Sequence, residues 1–388
     1  MKRRILNGSK RAIRGLLQGA LSVLALLAKP RASEHEMAAP PMRILLMDGA
    51  HIGDAIIATS LVTVLRSAYP RAEIGCVAGS WAAEVFRNHP AIVAVHLVDH
   101  WRLNRSSASL TERVKRFLRM RRVALAEIRE RGYDMAIALR PWHPDFLDLA
   151  WQAGIPVRVG FQRSLTAPLA TILAHYPDDT VRPFQTQGEC LAELLKVCGI
   201  SQSSLMLRRA DWSSTNQEVS QEIQKLFHDV AGPARYCVVH IGTGAPAKEL
   251  PNDFWVSLAD TLTEKGFVVF TGYGARETSN VNAILQRVLR ADRCINACGM
   301  LSWQGFVEAL RGAQTVYGVD SSAVHAAAAV GTPVVAVYSG IGGVGRWRPE
   351  GESVTVWSNP VPCSPCHLKN GCSHMQCMKG IQPSDILK

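Results

Sequence analysis

The fold is decided by one stretch of sequence, residues 43–69, which reads RILLMDGAHIGDAIIATSLVTVLRSAY. Its start, Arg43–Met47, is a short apolar run that predicts a buried strand, and Ala55–Tyr69 carries apolar residues at helical spacing. The segment Asp48–Asp54 joins the two and contains two glycines. A strand that leads through a short loop into a helix is the repeating unit of a parallel sheet whose faces are covered by helices.

The same alternation continues along the chain. Strands are predicted at Glu73–Ala78, Val93–Val98, Met135–Leu139, Tyr236–Ile241 and Phe267–Thr271. Helices are predicted at Phe254–Lys265 and Asn280–Arg290, and the rhythm continues through Phe306–Arg311, Thr315–Val319, Val324–Val330 and Val334–Tyr338. A Ser-rich polar stretch at 201–220 interrupts it.

The chain has 388 residues, of which 47% are hydrophobic, enough for two ordinary cores. We therefore predict an α/β protein with two Rossmann-like parallel-sheet domains, at residues 41–210 and 211–388, after an N-terminal segment and linker at residues 1–40. Ligands of such sheets bind at the carboxyl ends of the strands, so the chemistry is expected in the loops there.

The net charge of +11 is concentrated at the start of the chain, where eight basic residues precede the first acidic residue, Glu34. The rest carries 35 basic and 32 acidic residues, with no basic face and no aromatic platform. We therefore expect no nucleic-acid partner.

The N-terminal apolar run, Gly15–Ala28, is too short to span a bilayer, which takes roughly 20 residues. We favour an interfacial anchor formed by residues 1–31; a signal peptide and a disordered tail remain open. Ten cysteines without a small disulfide framework favour a reduced, cytoplasmic compartment.

The loop Asp48–Asp54 lacks the G-x-G-x-x-G pattern, which disfavours a nicotinamide enzyme. Asp54 stands at the start of a predicted helix, where a carboxylate serves either as a cap or as a catalytic base.

The loop His240–Lys248 contains Thr243, Gly244 and Lys248 directly after a predicted strand. It is not a Walker loop, yet small residues, a hydroxyl and a lysine suit a phosphate as well as a plain turn.

The segment Asp320–Ala328 places Ser321, Ser322 and Ala323 at the start of a helix, with His325 one turn in. An N-capped helix with a core histidine is one interpretation, and an anion site is the other. Two anion-suited loops in one domain favour a diphosphate ligand.

The last motif is a cluster of four cysteines, Cys363, Cys366, Cys372 and Cys377. It is interpreted as a structural zinc or iron site, as packing thiols or as redox disulfides.

A basic run lies between Arg102 and Arg122, with Glu112 as its single acidic residue. It predicts either a solvated helix face or an anionic partner held by Arg113, Arg116 and Arg119. We expect the nearby side chains of Trp142, His143 and Asp145 to line the cleft that holds this anionic partner.

Taken in order from Met42 to Leu387, these motifs resemble glycosyltransferase family 9, the lipopolysaccharide heptosyltransferases. The resemblance implies a GT-B fold, whose two domains face a cleft, with an N-terminal acceptor domain and a C-terminal nucleotide-sugar domain. It also implies an inverting transfer that needs no cofactor. The implied substrates are ADP-heptose and an anionic, lipid-linked saccharide of the lipopolysaccharide core, at the inner face of the inner membrane.

In this family the aspartate that matches Asp54 is the base. The resemblance further implies that Thr243, Gly244 and Lys248 hold the diphosphate together with the amides of Ser321, Ser322 and Ala323. Asp320 and His325 would shape the sugar-phosphate pocket, and Glu277 would meet the ribose. The chain departs from the family pattern at Asp48, Val319, Ser322 and Glu249-Leu250. A relative that uses another nucleotide sugar or a protein acceptor, or a non-catalytic scaffold, is the alternative.

Overall fold

The computed structural model describes residues 39–177, 185–200, 212, 217–227 and 235–387. The predicted anchor at residues 1–31 lies outside these residues, and so does most of the predicted boundary at 201–220. Within the described ranges, no helix has the length and apolarity needed to cross a membrane. The chain divides into two compact units, each of which contains one six-stranded parallel sheet.

The first unit is built on strands Arg43–Asp48 (β1), Glu73–Ala78 (β2), Ile92–Leu97 (β3), Met135–Ala138 (β4), Val157–Phe161 (β5) and Ile172–Ala174 (β6). Their order across the sheet is β3-β2-β1-β4-β5-β6. The strand β1 is central, since it pairs in parallel with both β2 and β4. Its apolar residues are completely buried, as expected of a strand covered on both faces.

The helices of the first unit are Ile52–Ala68 (α1), Ala83–Arg87 (α2), Leu110–Arg131 (α3), Leu147–Ala153 (α4) and Gln187–Lys196 (α5). The helix α3 ends at Gly132, whose φ of 61° is a left-handed conformation that glycine adopts without strain. Phe117, Leu125 and Ile128 pack its inner side against the core.

The second unit repeats the architecture with strands Tyr236–His240 (β7), Phe267–Thr271 (β8), Cys294–Asn296 (β9), Val316–Val319 (β10), Val334–Tyr338 (β11) and Val354–Ser358 (β12). Their order is β12-β11-β10-β7-β8-β9, again with parallel pairs. The chain order therefore reverses between β7 and β10, which is the position where open parallel sheets bind ligands.

The helices of this unit are Gln217–Leu226 (α6), Asn252–Thr263 (α7), Ala275–Leu285 (α8), Trp303–Arg311 (α9), Ser322–Ala329 (α10), Val344–Trp347 (α11), Gln376–Lys379 (α12) and Pro383–Ile386 (α13). The predicted helix Asn280–Arg290 is wrong in its bounds, because α8 begins one residue after Gly274, whose φ is 84°. The helix thus starts earlier and places Glu277 in its first turn. The predicted α/β class is confirmed.

Candidate functional site

The loop after β1 places Asp54 at the third position of α1. Its carboxylate accepts a hydrogen bond from the His51 backbone N–H at 3.2 Å, which forms half of a capping box. Gly49 in the same loop lies against the ring of Phe146, where a Cβ would overlap with the aromatic carbons. The structure therefore gives Asp54 a capping role and holds the loop close to Phe146.

The environment of Asp54 also suits proton transfer. Burial raises the pKa of this carboxyl, while the positive charge of Arg140, the His51 N–H and the charge of Arg105 oppose the rise. A carboxylate with a raised pKa takes up a proton more readily near neutral pH. Capping and general base catalysis are compatible, because the cap uses only one carboxylate oxygen.

A second carboxyl, that of Asp48, belongs to the same cluster. It is 2% exposed, and its Oδ1 accepts a hydrogen bond from Ala50 N at 3.0 Å. In the part of the chain that the structure describes, Oδ2 has no hydrogen-bond partner. Burial raises the pKa of Asp48 to about 7, with a smaller contribution from the charge of Asp54. The hydrogen bond from Ala50 N–H and the charge of Arg140 oppose this rise.

The role of Arg140 was missed from the sequence, and Asp48 was noted only as a departure from the family pattern. The signal was present for Asp48, since it is an acidic residue that directly follows the apolar run at 44–47. Arg140 follows β4, the neighbour of β1, but only the pairing of these strands brings its charge to both aspartates.

In the second unit, the loops after β7 and β10 meet. Lys248, on a 3₁₀ turn Pro246–Lys248, forms an ion pair with Asp320, with 2.6 Å between Nζ and Oδ2. The Thr243 hydroxyl donates to the backbone oxygen of Asp320 at 3.4 Å. Gly244, between these residues, is exposed. The two predicted anion-suited loops thus form one cluster.

The carboxylate of Glu277, in the first turn of α8, lies against Gly242 of the loop after β7. It accepts a hydrogen bond from Tyr273 N at 2.8 Å. A Cβ on Gly242 or Gly272 would overlap with it, so both positions require glycine for this approach. Burial raises the pKa of Glu277.

The start of α10 presents polar groups that the protein itself leaves unused. Ser321 precedes the helix, but its side chain does not cap it, and the Oγ atom is buried without a partner among the described residues. The same holds for Nδ1 of His325. Ser322 and Ala323 form the first turn, where backbone amides lack intrahelical acceptors. Burial lowers the pKa of His325 to about 4, so the ring is neutral at physiological pH.

The basic run of the first unit is partly engaged within the protein. Arg113 donates from Nη1 to the Asn104 backbone oxygen at 3.0 Å, and Arg116 forms an ion pair with the buried Asp99 at 2.7 Å. Arg119 is exposed. Of the three predicted acceptor-binding arginines, Arg113 and Arg116 therefore bond within the first unit, and Arg119 has no ion pair among the described residues.

The expectation that Asp145 lines a cleft is wrong. Its carboxylate is completely buried and accepts hydrogen bonds from the hydroxyls of Ser164 and Thr166 and from Leu147 N. Burial raises its pKa to about 6. Trp142 remains 42% exposed, whereas His143 has an Nδ1 atom that is buried without a partner in the described chain.

The predicted metal site of four cysteines is not formed in this structure. Across the described residues, no three His, Cys, Asp or Glu side chains are placed to hold a metal ion. The four thiols lie at different depths, since Cys363 is exposed, Cys366 and Cys372 are half-buried, and Cys377 is buried in the apolar core, although all four border one small pocket. All four are free thiols, so the disulfide alternative is not formed either.

Comparison with known proteins identifies one family in both its family model and its individual members. Residues 121–377 match the family model of glycosyltransferase family 9 (heptosyltransferase). Lipopolysaccharide heptosyltransferase 1 of Pseudomonas aeruginosa is 25% identical over 343 residues, which cover 86% of this chain and 88% of that protein. Lipopolysaccharide heptosyltransferase 2 of Salmonella typhimurium is 24% identical over 302 residues, which cover 76% of this chain and 82% of that protein.

Two solved structures share the fold. The glycosyl transferase family 9 protein from Veillonella parvula has a TM-score of 0.71 at 19% identity, covering 92% of this chain and 97% of its own. The Escherichia coli ADP-heptose lipopolysaccharide heptosyltransferase II has a TM-score of 0.67 at 20% identity, covering 89% of this chain and 96% of its own. The GT-B fold expected from the sequence is confirmed.

Proposed function

This chain belongs to glycosyltransferase family 9, the heptosyltransferase family, and on that premise we propose that it transfers a heptose from ADP-heptose to the lipopolysaccharide core. The proposed reaction inverts the configuration of the anomeric carbon and takes place at the inner face of the inner membrane. Solved structures of Escherichia coli heptosyltransferase WaaC contain ADP or an ADP-heptose analogue, which supports this class of donor.

The observation that carries the proposal is the cluster of Lys248, Asp320, Ser321 and His325 at the start of α10. It combines a cation, the amides of a helix N-terminus and two buried polar atoms that the described residues leave without partners. An isolated buried polar group is costly, so such atoms are typical of a site that a ligand completes. A diphosphate supplies oxygens for all of them.

These groups favour departure of the nucleotide. As the bond between the anomeric carbon and the diphosphate breaks, negative charge grows on the diphosphate oxygens. Lys248, the Thr243 hydroxyl and the amides of Ser322 and Ala323 lie in place before the reaction, so they stabilise this charge without reorganising. Asp320 holds the Lys248 ammonium in position through their ion pair.

Glu277 is proposed to bind the ribose of the nucleotide. Its carboxylate lies against Gly242 and Gly272, whose lack of a side chain lets it approach the loops after β7 and β8. A carboxylate that accepts hydrogen bonds from ribose hydroxyls is a common arrangement at the carboxyl ends of parallel strands.

Asp54 is proposed as the base that takes the proton from the acceptor hydroxyl as that oxygen attacks the anomeric carbon. Burial raises its pKa, which favours uptake of this proton. Arg140 and Arg105 counteract the rise and keep the carboxylate available in its ionised form. Since Arg113 and Arg116 of α3 bond to Asn104 and Asp99 in the segment between β3 and α3, we assign them the positioning of this segment rather than direct acceptor contacts.

The first experiment is a donor comparison. Purified full-length protein is incubated with ADP-heptose, UDP-sugars or GDP-sugars, with and without lipopolysaccharide core acceptor, and nucleotide release is followed. We expect acceptor-dependent ADP release from ADP-heptose alone, also in the presence of EDTA. Release from a different donor would contradict the proposed substrate, and no release from any donor would favour a non-catalytic scaffold.

The second experiment is Asp54→Asn. The Asn side-chain oxygen still accepts the His51 N–H, so the cap is retained while the base is removed. We expect turnover to fall by about 10²–10⁴-fold with unchanged donor affinity. Glu112→Gln is the matched control, because Glu112 occupies the same capping-box position in α3. Equal turnover in Asp54→Asn and the control would remove Asp54 as the base.

The third experiment is Lys248→Ala, measured by calorimetric titration with ADP. Loss of one charge-assisted contact should weaken ADP binding by about 10- to 100-fold. Arg287→Ala is the control, since it removes another ion pair of the same unit, Arg287 with Asp253 at 2.6 Å. Unaltered ADP affinity in Lys248→Ala would exclude the phosphate role.

A further inference from the structure

The helix α3 has two sides of different character. Its inner side carries Phe117, Ala124 and Ile128, which follow one another at helical spacing and belong to the core of the first unit. The opposite side carries Lys115, Arg119 and Arg122, which repeat at intervals of four and three residues and are all exposed. The basic residues therefore form one line along the outside of the helix.

This outward line differs from the other arginines of the same helix. Arg116 is held by Asp99, and Arg121 by Asp148 at 2.8 Å. Lys115, Arg119 and Arg122, in contrast, have no carboxylate partner in the described parts of the chain. Two arginines of the helix thus have a carboxylate partner, whereas the three residues of the basic line have none among the described residues.

Exposed apolar side chains flank the basic line. Leu118 is 57% exposed and Val123 is 53% exposed, one on each side of Arg119 and Arg122 around the helix. Exposed apolar residues beside unpaired cations on a helix surface fit the interface of a bilayer, where the apolar side chains enter the acyl boundary and the cations meet anionic headgroups.

The position of α3 in the sheet supports the same partner. The helix follows β3 and leads into β4, and both strands run parallel to β1. Its N-terminal half, with Lys115 and Arg119, therefore begins at the carboxyl edge of the sheet, the edge at which the Asp54 loop lies. A lipid-linked acceptor would reach Asp54 from this edge.

We propose that the outward face of α3, formed by Lys115, Arg119 and Arg122 with Leu118 and Val123, docks on an anionic lipid bilayer. The choice of a bilayer rather than an acidic protein rests on the proposed lipid-linked acceptor. The face adds to any attachment through residues 1–31 and orients the acceptor unit toward the lipid surface.

The test is sedimentation of the full chain with vesicles of phosphatidylcholine and phosphatidylglycerol, compared with pure phosphatidylcholine. The variant Lys115→Gln/Arg119→Gln/Arg122→Gln removes the three charges. The control, Lys265→Gln/Arg290→Gln/Lys379→Gln, removes three exposed charges from the other unit. Because each basic residue near an anionic surface adds about fivefold to partitioning, the first variant should bind the anionic vesicles roughly a hundredfold more weakly than the control.

Residues 1–31 are present in both variants, so their contribution cancels in this ratio. Leu118→Gln should lower binding about tenfold without a change in charge. Equal vesicle binding by the α3 triple variant and the control, or wild-type binding that is the same on both lipid compositions, would overturn the proposal. The assay contains no sugar donor or saccharide acceptor, so its outcome is independent of whether the proposed transfer takes place.

Discussion

Replacing Asp48 with Asn should change how the stability of the first unit depends on pH. The Asn side chain has the same shape, and its oxygen still accepts the Ala50 N–H that Asp48 Oδ1 accepts at 3.0 Å. The substitution therefore removes an ionisable group without opening a cavity. In the wild type, burial and the neighbouring charge of Asp54 raise the pKa of Asp48 from 3.8 to about 7.

The sign follows from proton binding. Between pH 3.8 and about 7 the folded protein keeps a proton on Asp48 that the unfolded chain has lost. Stability therefore falls as pH rises through this window, by about 1.4 kcal/mol per pH unit and roughly 4 kcal/mol in total. From pH 5 to pH 7 the loss is about 3 kcal/mol, or about 6–12 °C in the melting temperature of a unit of this size.

The assay is thermal unfolding followed by circular dichroism at pH 5, 6, 7 and 8. Asp48→Asn should already exceed the wild type by about 2 kcal/mol at pH 5, and the difference should grow to roughly 4 kcal/mol at pH 7 and level off by pH 8. Asp145, whose pKa burial raises to about 6, contributes the same slope to both proteins, so the difference between them reports on Asp48 together with its neighbour Asp54. Asp253→Asn, at an exposed carboxylate, is the control. Equal slopes for wild type and Asp48→Asn would refute the reasoning.

Three further outcomes are expected. Gly272→Ala should displace the Glu277 carboxylate, because the added Cβ would overlap with it. The free energy of unfolding should fall by about 1–3 kcal/mol in melting experiments, and ADP should bind more weakly in titrations. Asp145→Ala should cost about 2–4 kcal/mol in denaturant unfolding, since the hydroxyls of Ser164 and Thr166 and the Leu147 N–H lose the buried carboxylate that accepts from them; a cost under 1 kcal/mol would contradict this. The His325 ring signals in NMR should not move between pH 5.5 and 8, as burial lowers its pKa to about 4; a midpoint in that range would refute its neutral state.

The sequence was sufficient to predict the fold because the patterns that indicate strands and helices depend on neighbouring residues. A strand buried on both faces is apolar throughout, as Arg43–Asp48 is beyond its first residue, and the helix that follows shows its own spacing. Where a local signal was misread, the error was a boundary: apolar spacing placed one helix at Asn280–Arg290, whereas Gly274 sets its start at Ala275.

The sequence also located the loops of the candidate site, since parallel strands place their carboxyl ends on one edge. Lys248 and Asp320 were both singled out, although they are 72 positions apart and their ion pair was not foreseen. Chemical type and position after a strand sufficed to find them. Their mutual geometry needed the pairing of β10 with β7.

What only the tertiary structure decided is burial and the partner of each charge. The sequence alone shows eight basic residues between 102 and 122, but only the packed helix separates Arg116, held by Asp99, from Arg119, which faces solvent. Likewise, Asp48 has a raised pKa only because folding buries it beside Asp54. Hydrophobic periodicity is a property of neighbouring residues and can be read from the sequence, whereas desolvation and charge pairing arise between residues that the chain brings together from a distance.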